Sequence, residues 1–274
     1  MIYISDSLYI PGAEILDPIL QGPDNPRIGW HNLITFGNVQ ADSETTDGPV
    51  TNISNPATDQ IWQSASTAVQ YINITLSESE SVDYIGIAGH NFGTESIPYV
   101  LQSSVDGNTW VDVFDEQQPA NDRAIIHHFD PDENIYWRLA MTPDGVAPRI
   151  AVIYLGRILV MTQRIYVGHT PINYGRQTTY SGAKSESGQY LGRIIRGTTL
   201  RTSVEFTHIR PAFYRASVDP FVEAARENPF FWSWYPSSYP NEVGYCWTTG
   251  DIKPANQMAN GMMQFEFNVE GIAP

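Results

Sequence analysis

The sequence has one cysteine, few cationic residues in its first half and no long hydrophobic run, and each shortage excludes something. Cys246 stands alone, so the chain can form no internal disulfide and offers no cysteine and histidine set for structural zinc. No apolar run reaches about 18 residues, so we expect no membrane insertion. The opening residues MIYISDSLYIPGAEI lack the basic and apolar regions of a signal peptide, and none is expected.

Positive charge is scarce in the first half of the chain. Residues 1–148 contain 21 acidic residues against three arginines, a net charge of −18, whereas residues 149–274 contain 9 acidic and 12 basic residues and total +3. An acidic surface repels phosphates, so nucleic acid is not an expected partner. The break supports a domain boundary near Pro148 in a chain long enough for two domains. The acidic residues have one of two explanations. They either serve solubility alone, or they form an exposed face while the more neutral second half is buried in an assembly.

The first half shows the alternation of half-buried β-strands. Ile72, Ile74 and Leu76 alternate with polar residues, and no window before residue 150 has a helical period. Residues 1–28 show no period and are predicted to form an irregular N-terminal segment. Short strands separated by turns are typical of a β-sandwich or jelly roll. Further strands are predicted at 83–88, 99–105, 110–114, 136–141 and 149–155.

The second half predicts more strands and one helix. A strand is expected at 200–209 and a patterned final strand at 263–269. The helix is predicted over about 219–228, with Asp219 as its cap, Pro220 in the first helical position and a proline directly after it. Its core face would be formed by Phe221, Ala224 and Ala225.

Two stretches of the second half have more than one interpretation. The aromatic run at 230–236 either fills the core or a subunit interface, which we favour, or exposes Trp232 and Trp234 for stacking on sugars. The polar stretch 174–190 is predicted to be a long loop or arm between strands. Such loops are often used in assembly, and the alternative is a plain surface loop. The candidate assembly residues of this arm are Arg176, Lys184 and Glu186.

The order of motifs in the first half resembles one family. The stretches are NPATDQIWQS at 55–64, the strands at 71–88, SVDGNTW at 104–110 and YWRL at 136–139. In this order they resemble the discoidin, or coagulation-factor type C, family of galactose-binding-like jelly rolls. The resemblance covers about residues 29–156.

The resemblance implies roles for particular residues. Gly107 would supply the positive φ of the hairpin turn, and Trp110 would fold back to plug the end of the barrel. Loops at one end of such folds often bind ligands, which makes Asp59, His90 and Asn91 a candidate glycan-binding loop. The alternative, which we favour, is that these three residues have only a structural role.

The chain from residue 154 onwards resembles a second family, the distal-tail type of phage tail-tip protein. That resemblance implies a β-sandwich with one helix that forms a ring under the tail tube, and it implies a virion protein assembled in the bacterial host cytoplasm. The matching stretches are GHTP at 168–171, ESG at 186–188, LGR at 191–193, PF at 220–221, PFF at 229–231 and YPNEV at 239–243.

Catalytic signatures are missing from the sequence. It has neither a Gly-x-Ser-x-Gly elbow nor a phosphate-binding Gly-x-x-x-x-Gly-Lys-Ser/Thr loop. His127 and His128 are adjacent, so on a strand their rings would point to opposite faces, and we predict a surface loop there. Carboxylate pairs such as Asp115-Glu116 are expected by chance at this composition. We therefore expect no enzyme, no cofactor and no bound metal.

These observations favour a siphophage or prophage tail-tip subunit. It would comprise an N-terminal segment (1–28), a jelly roll (29–156) and a ring-forming β-sandwich (157–274). Its expected partners are further copies of itself in a ring-shaped homo-oligomer, other tail-tip and tail-tube proteins, and host-surface glycans bound by the jelly roll. The alternative is a free carbohydrate-binding module, a lectin without a tail role.

Overall fold

A computed structural model describes residues 1–5, 22–165, 168–259 and 261–272 of the protein. Over these ranges the chain is mainly β, as predicted, and its long strands pair antiparallel. Short 3₁₀ turns lie at Val50–Ser54 and Ile172–Tyr174. The strands in chain order are β1 (Ile2–Ile4), β2 (Arg27–Gly29), β3 (Val39–Ala41), β4 (Trp62–Gln63), β5 (Gln70–Ala88), β6 (Tyr99–Ser104), β7 (Val111–Asp112), β8 (Ile125–Met141), β9 (Arg149–Ile150), β10 (Val152–Gly156), β11 (Leu159–Val160), β12 (Arg176–Lys184), β13 (Tyr190–Ile209), β14 (Phe230–Ser233), β15 (Val243–Thr248), β16 (Ala255–Asn256) and β17 (Met263–Gly271).

The first sheet is built around the two longest strands of the first half. Its order is β10-β5-β8-β6-β7, with β3 added to β5 and with β1 added to β8 in the parallel direction. β5 pairs with β3 near its beginning and with β10 at its end. The alternating segment of Ile72, Ile74 and Leu76 and the strand predicted at 83–88 are therefore one strand.

β5 changes the face that it turns to the core. Before residue 75 the even-numbered Ile72 and Ile74 are buried in the first hydrophobic core, and further along the strand the odd-numbered Ile85 and Ile87 are buried there. Register shifts between residues 75 and 84 cause the exchange, since an irregular register moves side chains to the opposite face.

The second sheet has the order β11-β2-β14-β15-β17-β13-β12. Its core contains the side chains of Phe230 and Trp232, which are fully buried, so for these two residues the core interpretation of the aromatic run is confirmed. The final strand β17 buries alternate residues, as predicted, among them Phe265 and Phe267.

A third apolar cluster joins the two sheets. β5 and β10 contribute Tyr84 and Tyr154, and β14 and β15 contribute Phe231 and Tyr245. The approach is close at Gly86, where an added Cβ would lie 2.6 Å from the Phe231 ring. The end of β5 is therefore buried on both faces, which explains why the sequence is continuously apolar there.

The N-terminal segment is only partly as predicted. Residues 6–21 lie outside the described residues, but β1 pairs with β8 and β2 pairs with β14 and β11. The prediction of irregular structure was therefore wrong for 2–4 and 27–28, where pairing with distant strands replaces any local period. The division of the chain at 28/29 and 156/157 stays a prediction, although β2 pairs with the second sheet.

The helix begins earlier than predicted. Its first segment, α1, is Pro211–Phe213, a wider π-helical turn follows at Tyr214–Val218, and α2 is Asp219–Ala224. Pro211 is the proline that starts the helix, so Asp219 is not its cap. Pro220 lies inside and has no N–H to donate, and a π turn lies directly before it. Phe221 and Ala225 are buried as predicted, while Ala224 is only partly buried. Across the described ranges, no helix is both long and apolar enough to span a bilayer.

Candidate functional site

The loop proposed to bind glycans uses two of its three side chains within the fold. His90 and Asn91 are both 4% exposed. The Nε2 atom of His90 lies 2.8 Å from the Arg123 carbonyl, and the Phe92 N–H donates to its Nδ1 over 3.2 Å. These partners fit the neutral ring with its proton on Nε2. Burial lowers the pKa of His90 to about 4.

The Asn91 side chain is also hydrogen-bonded within the fold, because its amide donates to the Ala147 carbonyl and accepts from the Arg149 N–H. Asp59 is exposed in the loop before β4. No hydrogen bond between described residues joins it to His90 or Asn91. The three residues thus do not form one open site.

The adjacent histidines lie in β8, so the surface-loop prediction for them was wrong. His127 is 2% exposed, stacks between the rings of Tyr3 and Phe114, and lies 2.6 Å from the Tyr99 hydroxyl. His128 points to the opposite face and accepts a hydrogen bond from Arg27. Burial lowers the pKa of both rings well below the ordinary value, with the nearby N-terminus adding to the effect at His127.

The predicted polar arm is a long β-hairpin and not a loop. β12 pairs with the first half of β13 from Arg176 opposite Leu200 to Lys184 opposite Tyr190. Nine residues at about 3.3 Å each give it a length of about 30 Å. Glu186 lies in the turn at its tip, which Gly188 closes with a φ of 81°.

The three candidate assembly residues are spread along this hairpin. Arg176 is at its base, beside a groove of about 570 Å³ that also includes Tyr174, Arg201 and Asn268. Lys184 and Glu186 are at the tip. The structure therefore does not bring Arg176 together with the other two, and the hairpin as a whole is the feature that they share.

The hairpin exposes large apolar side chains to solvent on both strands. Its Tyr180 is stacked under the Arg193 guanidinium at 3.9 Å. Most of this surface was not predicted, because the predicted arm ended at residue 190, while the signal, the apolar residues of YLGRII at 190–195, lies largely beyond it. The exposed fractions are 47% for Tyr180, 68% for Tyr190, 63% for Leu191, 72% for Ile194 and 63% for Ile195.

Trp110 does not plug the jelly roll, which corrects the prediction. It belongs to none of the buried clusters of the described chain and is half-buried on the outer face of the first sheet. The Arg138 guanidinium lies between two rings, 4.1 Å from the centre of Trp110 and 4.4 Å from that of Tyr71. Gly107 has the predicted positive φ, at 73°.

A polar row crosses the sheet at Arg138. Strand pairing places Asn73 and Gln102 on either side of Arg138 and places Asp112 beyond Gln102. The Arg138 Nε donates to Gln102 over 2.6 Å, and the Gln102 amide donates to Asp112 over 2.6 Å. No group of three or more histidine, cysteine or carboxylate side chains that could hold a metal occurs among the residues that the structure describes.

No protein-family model matches the sequence, and no curated protein matches it either. Solved structures with similarity include CpGH89CBM32-5 from Clostridium perfringens in complex with GalNAc-β-1,3-galactose, which is 18% identical with a TM-score of 0.39 over 43% of this chain and 94% of that chain. Chitosan-binding module 1 of a chitosanase/glucanase from Paenibacillus sp. IK-5 is 19% identical, with a TM-score of 0.42, and the match covers 46% of this chain and 99% of that chain. The family 32 module of C. perfringens NanJ in complex with galactose is 16% identical, with a TM-score of 0.38, and the match covers 44% of this chain and 92% of that chain. Identity this low does not identify a ligand.

Proposed function

We propose that this protein is a structural subunit of a phage or prophage tail tip. It would assemble through the second sheet and the β12–β13 hairpin into a ring-shaped homo-oligomer, in contact with other tail-tip and tail-tube proteins. The acidic first half would be displayed outward, where the jelly roll could meet host-surface glycans. The protein would act in the virion, after assembly in the host cytoplasm.

The exposed hairpin is the observation that carries this proposal. A two-stranded ribbon without further strands is marginally stable in water. This one also exposes five large apolar side chains, which marks a surface for another protein. Since residues 176–199 contain four cationic residues and one acidic residue, a neighbouring copy with an acidic first half is an electrostatically suitable partner.

Charge also favours one arrangement of the ring. Packing several first halves of net charge −18 together would be unfavourable, whereas at the periphery salt screens them beyond about 8–10 Å. The second half, with a net charge of +3, has no such obstacle to close packing.

Oligomeric state tests the proposal. We expect the full chain to form a defined ring in native mass spectrometry and in negative-stain images. Replacing residues 177–199 by a two-residue Asn-Gly turn joins Arg176 to its register partner Leu200, and this variant should be monomeric. A matched control that changes only the exposed turn residue Ser187 to Asn should keep the oligomer.

Antibodies against the chain should label the tail tip of purified virions. A full chain that stays monomeric at high concentration, and antibodies that label no virion, would contradict the tail proposal. A monomer that binds glycans would favour the free lectin.

A further inference from the structure

We infer that the outer face of the first sheet at Arg138 is a binding site for a neutral oligosaccharide. This inference rests on the glycan-recognition part of the proposed function and does not depend on ring formation. It moves the site away from the loop of His90 and Asn91, whose side chains are buried and hydrogen-bonded within the fold.

Arg138 is held in place by three neighbouring side chains. Its guanidinium lies between the rings of Trp110 and Tyr71, and Gln102 accepts from its Nε. Its two terminal nitrogens have no hydrogen-bond partner within the described chain. They are also not among the buried polar atoms that lack a partner. A cation fixed on three sides, with free N–H donors in water, loses little further freedom when a ligand binds.

The polar row mixes hydrogen-bond donors and acceptors. Asn73 offers an amide, Arg138 offers donors and Asp112 offers an exposed carboxylate. Sugar hydroxyls both donate and accept, so neighbouring donors and acceptors suit them. The row spans three strand spacings, about 14–15 Å, which is long enough for a short oligosaccharide.

Two aromatic rings lie beside the polar row. Trp110 and Tyr71 are partly exposed side chains beside the polar row, and each ring has the Arg138 guanidinium over one face. Aromatic faces bind the apolar C–H faces of sugar rings while the polar groups fix the hydroxyls.

Charge selects among sugars. Asp112 lies in the row, and the first half as a whole has a net charge of −18, so a uronic acid or sialic acid would be repelled in spite of Arg138. The ligand class is therefore neutral glycans.

The test is a binding screen of the full chain. Immobilised oligosaccharides ending in galactose, glucose or N-acetylhexosamine would be compared with matched sialylated and uronic acid-containing ones, and hits would be titrated by calorimetry. We expect binding to neutral members only. Arg138→Ala should weaken that binding by about 10-fold or more, because it removes charged hydrogen bonds. Arg149→Ala removes an exposed arginine in β9, which lies within the predicted jelly roll but outside the polar row, and should leave binding unchanged.

Folding is checked separately by the circular dichroism and melting temperature of each variant. If Arg138→Ala unfolds, Arg138→Lys keeps the charge but not the planar donor fork, and it should fold and still bind more weakly. Neutral glycan binding that survives both variants would overturn this site while leaving glycan recognition intact. Binding to no neutral glycan, or to acidic glycans only, would overturn the inference as well. None of these outcomes bears on ring formation, which has its own readout.

Discussion

Acid should destabilise this protein through its buried histidines, and His90 allows the effect to be worked out. Unfolded His90 has an ordinary pKa near 6.5, while burial lowers its pKa in the fold to about 4. The contribution of the neutral ring to stability is therefore fully present above pH 6.5 and is lost as the pH falls towards 4. Between pH 7 and pH 5 the loss is about 2 kcal/mol, which is large beside a typical total of about 5–15 kcal/mol.

The geometry explains why the ring resists protonation. The Nδ1 atom of His90 accepts a hydrogen bond from the Phe92 N–H. Protonation of Nδ1 would replace this acceptor with a second donor, and the hydrogen bond would be lost. His127 and His128 act in the same direction, because burial also lowers their pKa.

The assay compares wild type with His90→Asn by urea unfolding, followed by tryptophan fluorescence at pH 7, 6 and 5. The variant should be less stable at pH 7, and the difference in free energy of unfolding should shrink by about 2 kcal/mol at pH 5. The other histidines are common to both proteins and cancel. A difference that stays constant with pH would refute the reasoning, because His90 would then titrate alike in the folded and unfolded states.

Two further predictions concern the junction of the sheets. Burial raises the pKa of Asp83 to about 6, so the stability that its protonated form contributes is fully present below pH 3.8 and is lost as the pH rises through 6. Between pH 5 and pH 7, the free energy of unfolding of Asp83→Asn, measured in urea, should therefore rise by about 1 kcal/mol relative to that of wild type. A difference between the two proteins that does not change with pH would contradict this. Gly86→Ala should destabilise by about 1–3 kcal/mol in thermal or urea unfolding, since the new methyl group meets the Phe231 ring. Gly37→Ala, with nothing within 4 Å of its Cβ, is the matched control, and equal effects of the two changes would refute the close packing.

Local patterns predicted much of the fold, because they depend on neighbouring residues. The alternation of Phe265 and Phe267 with polar residues gave the final strand, and Gly107 gave the turn. Helix signals were ambiguous because the chain has two prolines that suit a first helical position, Pro211 and Pro220. The sequence alone does not say which of them lies within the helix.

The candidate sites were harder to predict, because they depend on pairing between distant strands. His127 and His128 resembled a polar loop, and only the placement of β8 between two packed layers buries them. Trp110 and Arg138 are far apart in sequence, and the register of β6, β7 and β8 brings them together. The hairpin was mistaken for a loop because its strands are polar or exposed on both faces, so neither shows the alternation that marks a half-buried strand.

The contact between Gly86 and Phe231 has a consequence for exchange of modules between related genes. A receptor-binding domain joined by a flexible linker can be replaced by recombination at the linker. Here β5, the strand that ends the first core, also packs against the second sheet in the third cluster, and β2 pairs with the second sheet from before the jelly roll. A foreign jelly roll inserted at residues 29–156 would have to offer a glycine opposite Phe231 and tyrosines like Tyr84 and Tyr154 around it. For the proposed glycan-binding face, we therefore expect specificity to change by substitution on the outer face of the sheet and not by replacement of the whole domain.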